Sequence, residues 1–263
     1  MENEALLRLS VFIGLFGLFA LMEWALPRRA RRTSQTRRWA TNWAIVVLDT
    51  LTLRVFALVL PLLAVGAAID AGAKGWGLLN QFDLPFVVNL ILTILIFDFV
   101  IWLQHVASHK IPLLWRIHRV HHADRDMDVT TAIRFHPVEI VLSMLLKIGL
   151  VYAIGPAAWA VVIFEVILNG SAMFNHANIK LPLGLDRALR LFMITPDMHR
   201  IHHSVQRAEH DTNYGFALSW WDRLFGTYTV EPAKGHDAMD VGLHWQDERP
   251  NKLGWSLALP FRK

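Results

Sequence analysis

No cysteine occurs among the 263 residues. That excludes disulfides, thiolate metal sites and cysteine-held iron–sulfur clusters, and it leaves the redox compartment open. Charge is scarce too. Asp, Glu, Lys and Arg make up 18% of the chain against 54% hydrophobic residues, a balance that points away from a water-soluble globule and toward a membrane protein. The net charge of +4 is small and unevenly spread, so nucleic acid is not an expected partner. A GxGxxG fingerprint in a βαβ setting is missing, as are an attached cytochrome-type domain and the HExxH motif. No unit repeats itself at the periods of a solenoid or propeller. The first residues are acidic, with Glu2 and Glu4, whereas a secretory signal starts basic, so the first apolar run is expected to stay in the protein.

What is there is a series of long apolar runs. Leu6–Leu26 is long enough for a first membrane span. RRARRTSQTRR follows at 28–38, with six arginines, and reads as a solvated basic loop of the kind that stays cytoplasmic. A second span is expected over Trp43–Ile69, interrupted by Asp49 and Arg54, then a glycine-rich loop over Ala71–Gln81, then a third span over Leu84–Leu103. Val138–Ile154 and Ala157–Met173 flank Gly155-Pro156 and read as a helical hairpin that crosses or dips into the bilayer. From His176 onward the chain looks soluble, with Leu189–Ile194 apolar enough to touch the membrane. The fold class expected is all-α: an integral-membrane helical bundle of four to five segments in one domain, 1–263. If the arginine loop is cytoplasmic, span three returns to that side, and so do both ends of the hairpin. Every histidine group below then emerges on one face.

Eight of the thirteen histidines fall into three groups. His105 and His109 are four apart; HRVHH gives His118, His121 and His122; HRIHH gives His199, His202 and His203. At helical pitch, positions i, i+3 and i+4 share one face. Neutral imidazole suits zinc, iron, copper or nickel and suits magnesium or calcium poorly. One tetrahedral ion needs about four ligands, so eight histidines are more simply read as two metal ions. His176 is a ninth candidate. A cluster of imidazoles without metal would titrate near neutral pH and repel.

Carboxylates fall in register with these groups. Asp98 shares a helical face with Trp102, His105 and His109, and Glu165 is near in register with Asn169 and His176. Each reads equally as a hydrogen-bond partner of a ligand imidazole or as a structural interhelical pair. His136 precedes Pro137 and reads as a ligand, a partner of one, or the cap of the next helix, with Glu139 in its first turn. Thr195-Pro196-Asp197 reads as the start of the helix that presents His199, His202 and His203. Asn213 is a residue that could line the site. His210, His236 and His244 read as ordinary surface histidines, and Trp220, Trp221, Phe225 and Tyr228 as packing or interfacial aromatics.

Taken together, HVASH (105–109), HRVHH (118–122), RFHPVE (134–139), FNHANI (174–179), TPDMHRIHHS (195–204) and NYGFALSWWDRLFGTY (213–228) resemble the fatty acid hydroxylase/sterol desaturase superfamily of integral-membrane di-metal oxygenases. The resemblance covers roughly residues 90–230. It implies a helical membrane anchor under a cytoplasmic helical cap. It implies a di-iron centre, with zinc as a substitute in purified protein, that activates O2 with electrons from an external reductase, ferredoxin or cytochrome. Carried over by position, its ligands are His105, His109, His118, His121, His122, His199, His202 and His203, with His176 at an additional position. The substrate implied is a lipid (fatty acyl, sterol, ether lipid or carotenoid) and the location a bacterial inner membrane. Two other readings compete. A membrane zinc hydrolase lacks support because neither HxxHH places a glutamate as general base. A metal transporter or metal-storing protein would carry its histidines mid-span along a pathway, and here they gather at span ends.

Overall fold

The computed structural model describes residues 3–59 and 63–262. Regular structure among them is helical, tied at three places by single bridges between extended residues, Pro27 with Ile179, Met193 with Leu218 and Ser204 with Val241. The helices are α1 Glu4–Ala25, α2 Gln35–Val59, α3 Ala64–Lys74, α4 Phe86–Lys110, α5 Pro112–His122, α6 Pro137–Ile154, α7 Ala158–His176, α8 Leu183–Leu189, α9 Pro196–His202, α10 Arg207–His210, α11 Trp220–Leu224, α12 Gly235–Ala238 and α13 Leu253–Ala258. Five helical segments are long and apolar enough to cross a membrane. The short helices from α8 onward form a cap over one end of the bundle.

The long helices follow the hydropathy with two corrections. The run expected as one span over 43–69 is two helices. The first starts earlier, at Gln35, because Arg37 and Arg38 are helical and Arg38 is buried. The sequence carries Pro61 between α2 and α3, which cannot continue a helix; residues 60–62 lie outside the described residues. The second correction concerns 71–81, expected as loop. Helix α3 runs on to Lys74, Gly75 closes it in the left-handed conformation at φ 65, and Leu78–Gln81 adds a 3-10 turn. The hairpin stands as read, with α6 closed by Gly155 at φ 67.

In the bundle α1 packs on α7, α3 on α6 and α7, α2 on α6, and α4 on α5 and α7. The core includes Phe97, Ile101, Ile148, Val151 and Phe164, with Phe97 and Phe164 edge to face at 5.3 Å. The outer faces expose Leu21, Leu58, Val87 and Ile91, the kind of surface hydrocarbon covers. Within a bilayer, burial of such residues gains little from expulsion of water, so close packing and interhelical polar contacts hold the helices together. Glu165 makes one of those contacts. It accepts from Lys147 at 2.9 Å and pairs with Arg8 at 2.8 Å, joining α7 to α6 and α1.

At the end of the bundle away from the cap two turns touch. A Cβ on Gly77 would lie 2.3 Å from the Gly155 backbone nitrogen, and Gly77 has φ 95. Gly77→Ala therefore meets both a forbidden contact and a strained backbone. We expect it to cost more than the roughly 1–3 kcal/mol of a strained residue alone, seen as a lower unfolding temperature in detergent.

Candidate metal centre

One residue sets the first half of the site. Ile111 is extended, with φ −93 and ψ 116, between the end of α4 and Pro112 at the first position of α5. Proline disfavours helix in the residue before it and fits the first helical turn, so the chain turns sharply there. His105 and His109 on the last turns of α4 then face His118 and His122 on α5. The second half comes from the end of α7, which delivers His176, and from α9. Thr195 caps α9, accepting from the Met198 backbone N–H at 3.4 Å, and Pro196 occupies the first position, as the sequence predicts.

All nine candidate histidines are buried, none more than 4% exposed. They separate into two groups. His105, His109, His118, His122 and His202 form one, and His121, His176, His199 and His203 the other, with one ring nitrogen from each member within 4.8 Å of those of the rest of its group. Each HxxHH unit contributes to both groups. The i and i+4 positions of HRVHH serve the first and its i+3 position the second; HRIHH does the reverse.

The outer nitrogens fix the ring orientations. His105 Nδ1 donates to the Tyr214 carbonyl at 2.6 Å, His118 Nδ1 to Glu139 Oε1 at 2.6 Å, His176 Nδ1 to the Ala172 carbonyl at 2.7 Å and His202 Nδ1 to the Thr212 carbonyl at 2.8 Å. A neutral imidazole that donates from Nδ1 presents a lone pair at Nε2. His105 and His118 are both of this kind, yet their Nε2 atoms lie 3.1 Å apart. Two lone pairs at that distance repel, and a cation shared between them removes the conflict. In the other group His176 Nε2 lies 3.0, 3.1 and 3.2 Å from the Nε2 atoms of His121, His199 and His203. Both ring nitrogens of His109 and of His122 and Nε2 of His202 are buried without a hydrogen-bond partner among the described residues. Buried polar atoms left orphaned in this way need an explanation, and the all-imidazole donor set fits a transition metal. Burial first, then the neighbouring imidazoles, hold His121, His122, His199, His202 and His203 well below the usual histidine pKa. They are neutral at pH 7, so a metal displaces few protons on binding.

A family profile described as fatty acid hydroxylase matches residues 90–227, which spans every one of these histidines. The chain belongs to the fatty acid hydroxylase family. Among curated members, the ornithine lipid hydroxylase OlsE of Rhizobium tropici is 29% identical over 159 residues, 60% of this chain and 46% of that protein. The human alkylglycerol monooxygenase is 31% identical over 138 residues, 52% of this chain and 30% of that protein. A cholesterol 25-hydroxylase-like protein of Danio rerio is 28% identical over 153 residues, 55% of this chain and 57% of that protein. This chain thus spans less than half the length of the first two. No solved structure matches it.

Other predicted residues of this fatty acid hydroxylase family chain make their hydrogen bonds and ion pairs outside the two histidine groups. Asp98 accepts from Trp221 Nε1 at 2.8 Å and from the Leu218 N–H at 3.3 Å, so it holds the aromatic tail and not an imidazole. Glu165 is committed to Lys147 and Arg8. His136 caps α6, accepting from the Val138 N–H at 3.2 Å. Asn213 adopts φ 52 and braces its loop, donating to the Met198 carbonyl at 3.0 Å and accepting from the Thr229 N–H at 2.9 Å. That loop carries the carbonyls of Thr212 and Tyr214 that orient His202 and His105. Asp222 of the tail holds it from below, accepting from the Tyr214 and Gly215 N–H groups at 2.9 and 2.8 Å.

Two surface readings fail. His210 is buried against Trp115, ring centroids 5.1 Å apart, and its ring lies 5.7 Å from that of His109. His236 is buried beside Glu231 and Asp197 at 3.3 and 3.8 Å. His210 is covered by Trp115 and His236 pairs with Asp197, both distant in sequence, which spacing cannot reveal. Glu139, read only as a helix start, is a direct partner of His118; the two are 21 residues apart on different helices. Glu139→Ala frees the His118 ring and lowers its basicity. Loss of such a partner costs roughly 10–100-fold in metal affinity; a competition titration with a metal chelator reads it, and unchanged affinity removes the role.

Proposed function

We propose that this chain, as one domain over 1–263, is a membrane-bound di-iron oxygenase that hydroxylates or desaturates a lipid. The nine histidines would hold two iron ions, five donors around one and four around the other, with zinc able to substitute. The observation that carries the reading is where the five-histidine group abuts empty space. His105 and His118 form part of the wall of a cavity of about 320 Å³ whose other lining includes Phe12, Val46, Ile101, Phe135, Leu168 and Phe216. A cavity of that size with apolar walls suits part of a hydrocarbon chain. A second cavity of about 330 Å³, lined by Val100, Leu103, Leu142 and Leu146, shares Gln104, Ser108 and Glu139 with the first, and supports access from the bilayer between α4 and α6. The names of two relatives describe hydroxylation of ornithine lipid and monooxygenation of alkylglycerol, both lipids.

Iron, when bound, supplies with O2 an oxidant strong enough to break an unactivated C–H bond, which no side chain does. The chain's own residues supply the setting. Apolar walls exclude water from the reacting carbon, and the Nδ1 donors of His105 and His118 fix the two imidazoles that face it. Orientation follows from the arginines. Arg28 pairs with Asp197 at 3.3 Å and Arg38 with Asp124 at 2.7 Å, so the basic segment lies beside the histidines. Short basic loops stay cytoplasmic, which supports a site on the cytoplasmic face; the membrane we infer is a bacterial inner membrane. At that face a reductase, ferredoxin or cytochrome can deliver electrons.

Metal analysis of the purified chain, with O2 uptake in the presence of lipid, tests this. Two irons and lipid-dependent O2 consumption are expected; one zinc with hydrolysis, or exchangeable metal with transmembrane flux, overturns it. His121→Ala should insert normally, lose the ion of its four-histidine group and lose turnover.

A further inference from the structure

The cavity beside His105 and His118 is apolar in most of its wall but not in all of it. Asp49, Gln104, Glu139, Ser143 and Lys147 also line it. Their hydrogen bonds decide what they can still do. Lys147 is committed to Glu165, which Arg8 also holds, so that cation is neutralised within the protein. Ser143 donates to Gln104 at 3.4 Å. Glu139 spends Oε1 on His118, and its buried Oε2 has no partner among the described residues. Asp49 is 5% exposed, and its buried Oδ1 has no partner among the described residues either. The buried side-chain atoms of this lining left without a partner among the described residues are both carboxyl oxygens, Asp49 Oδ1 on α2 and Glu139 Oε2 on α6.

Leaving a carboxylate oxygen buried and unpaired is costly. A carboxyl in the membrane part of a helix bundle marks a functional site by default, and among the described residues no cation pairs with Asp49 to give it a structural role. A carboxylic or phosphate group entering the cavity would meet like charge. A group that brings hydrogens would not.

We propose that Asp49, seconded by Glu139 Oε2, is the specificity-determining subsite for the polar end of the lipid substrate, and that this end carries a hydrogen-bond donor, a hydroxyl or a protonated amine. This rests on the cavity being the substrate cavity of the proposed oxygenase. The subsite selects among lipids that share a hydrocarbon chain, and it selects against free fatty acids.

Binding to the full chain in lipid nanodiscs tests it, by displacement of a fluorescent alkyl probe. The competitors are 1-O-hexadecylglycerol, hexadecylamine, the dimethyl ether of hexadecylglycerol, and palmitate. The diol or the amine should bind about tenfold tighter than the dimethyl ether, as expected for one hydrogen bond to a charged partner, and palmitate should bind weakest. Asp49→Leu should level the series while keeping its metal. Asp49→Asn distinguishes the two donors: it retains an acceptor and should spare a hydroxyl, but it cannot ionise against an incoming amine and should cost an amine about tenfold. Palmitate binding best to the unaltered chain overturns the proposal, as does an undiminished preference in Asp49→Leu. If Asp49→Leu fails to fold, the ranking in the unaltered chain and in Asp49→Asn still decides. Metal content and turnover are read separately. An active oxygenase indifferent to Asp49 sinks the subsite alone; an Asp49-dependent preference in a chain with no turnover sinks the oxygenase reading alone.

Discussion

His176→Ala should cut the metal content of the purified chain from two ions to one. His176 stands at the middle of the four-histidine group, its Nε2 within 3.2 Å of those of His121, His199 and His203. It is also the member of that group whose ring is pinned from behind, by the Ala172 carbonyl. Without it three imidazoles remain, whose outer nitrogens are buried and without partners among the described residues. Removing a ligand should weaken binding by more than the roughly 100-fold ceiling for removing an outer partner. The five-histidine group shares no residue with this one and should keep its ion. His109→Ala is the reciprocal case: four imidazoles remain in the first group, so that ion should bind more weakly and be lost first to a chelator, while the second group is spared. Turnover should vanish once either ion is lost, because the proposed chemistry uses both. Metal counted per chain by mass spectrometry reads the result. If each variant lost both ions, the nine histidines would form one cooperative centre; if neither lost any, they would not be ligands at all.

The histidines were legible because helical pitch is a local rule. HxxHH fixes which side chains share a face before any packing is known, and Pro112, Pro137 and Pro196 mark where the helices carrying or flanking them begin. All nine candidates end up in the two groups. The division of each HxxHH between the groups was not legible. Positions i and i+4 lie on slightly different sides of the stripe from i+3, and only the packing of α5 against α9 turns that small difference into two sites. The partners of the outer nitrogens were legible still less. Tyr214 and Thr212 act through backbone carbonyls, which leave no trace in residue type, and Glu139 meets His118 from another helix. Asp98 shows the limit of register, which left an imidazole partner and a structural pair equally open. Its register with His105 was right, yet register gives a face and not a partner, and the face was taken by Trp221 and Leu218. The arginine segment was misread for a related reason. A run of charge is usually solvated, and only the acids that fold back onto it, at 124, 126, 128, 197, 237 and 240, make it part of the site's frame.

Arg38 carries the largest stability effect expected in that frame. It is fully buried. Its guanidinium donates to both oxygens of Asp124, at 2.7 and 2.9 Å, and to Asp128 at 2.9 Å. Asp124 follows two residues after His122, so this fork ties the end of α5 to the start of α2. Burial alone would raise the Asp124 pKa; the Arg38 charge outweighs it and holds the group below its ordinary value. Arg38 is the cation hydrogen-bonded to both carboxylates; the guanidinium of Arg134 is turned to Asn42, Ser256 and the carbonyls of Val120 and Pro250 and adds its charge to Asp124 without a direct bond. Arg38→Met leaves two buried negative charges uncompensated, which costs about 3–5 kcal/mol. In a domain of this length that is a fall in unfolding temperature on the order of 10 °C, read in detergent at one fixed scan rate. Metal loss should accompany it, because α5 is no longer anchored. A purely packing role for Arg38 predicts something different for the triple variant. With Asp124→Asn and Asp128→Asn added to Arg38→Met, the uncompensated charge is gone, and stability should recover by a large part of the loss. If the triple variant is instead less stable than Arg38→Met, charge is not what the arginine was balancing.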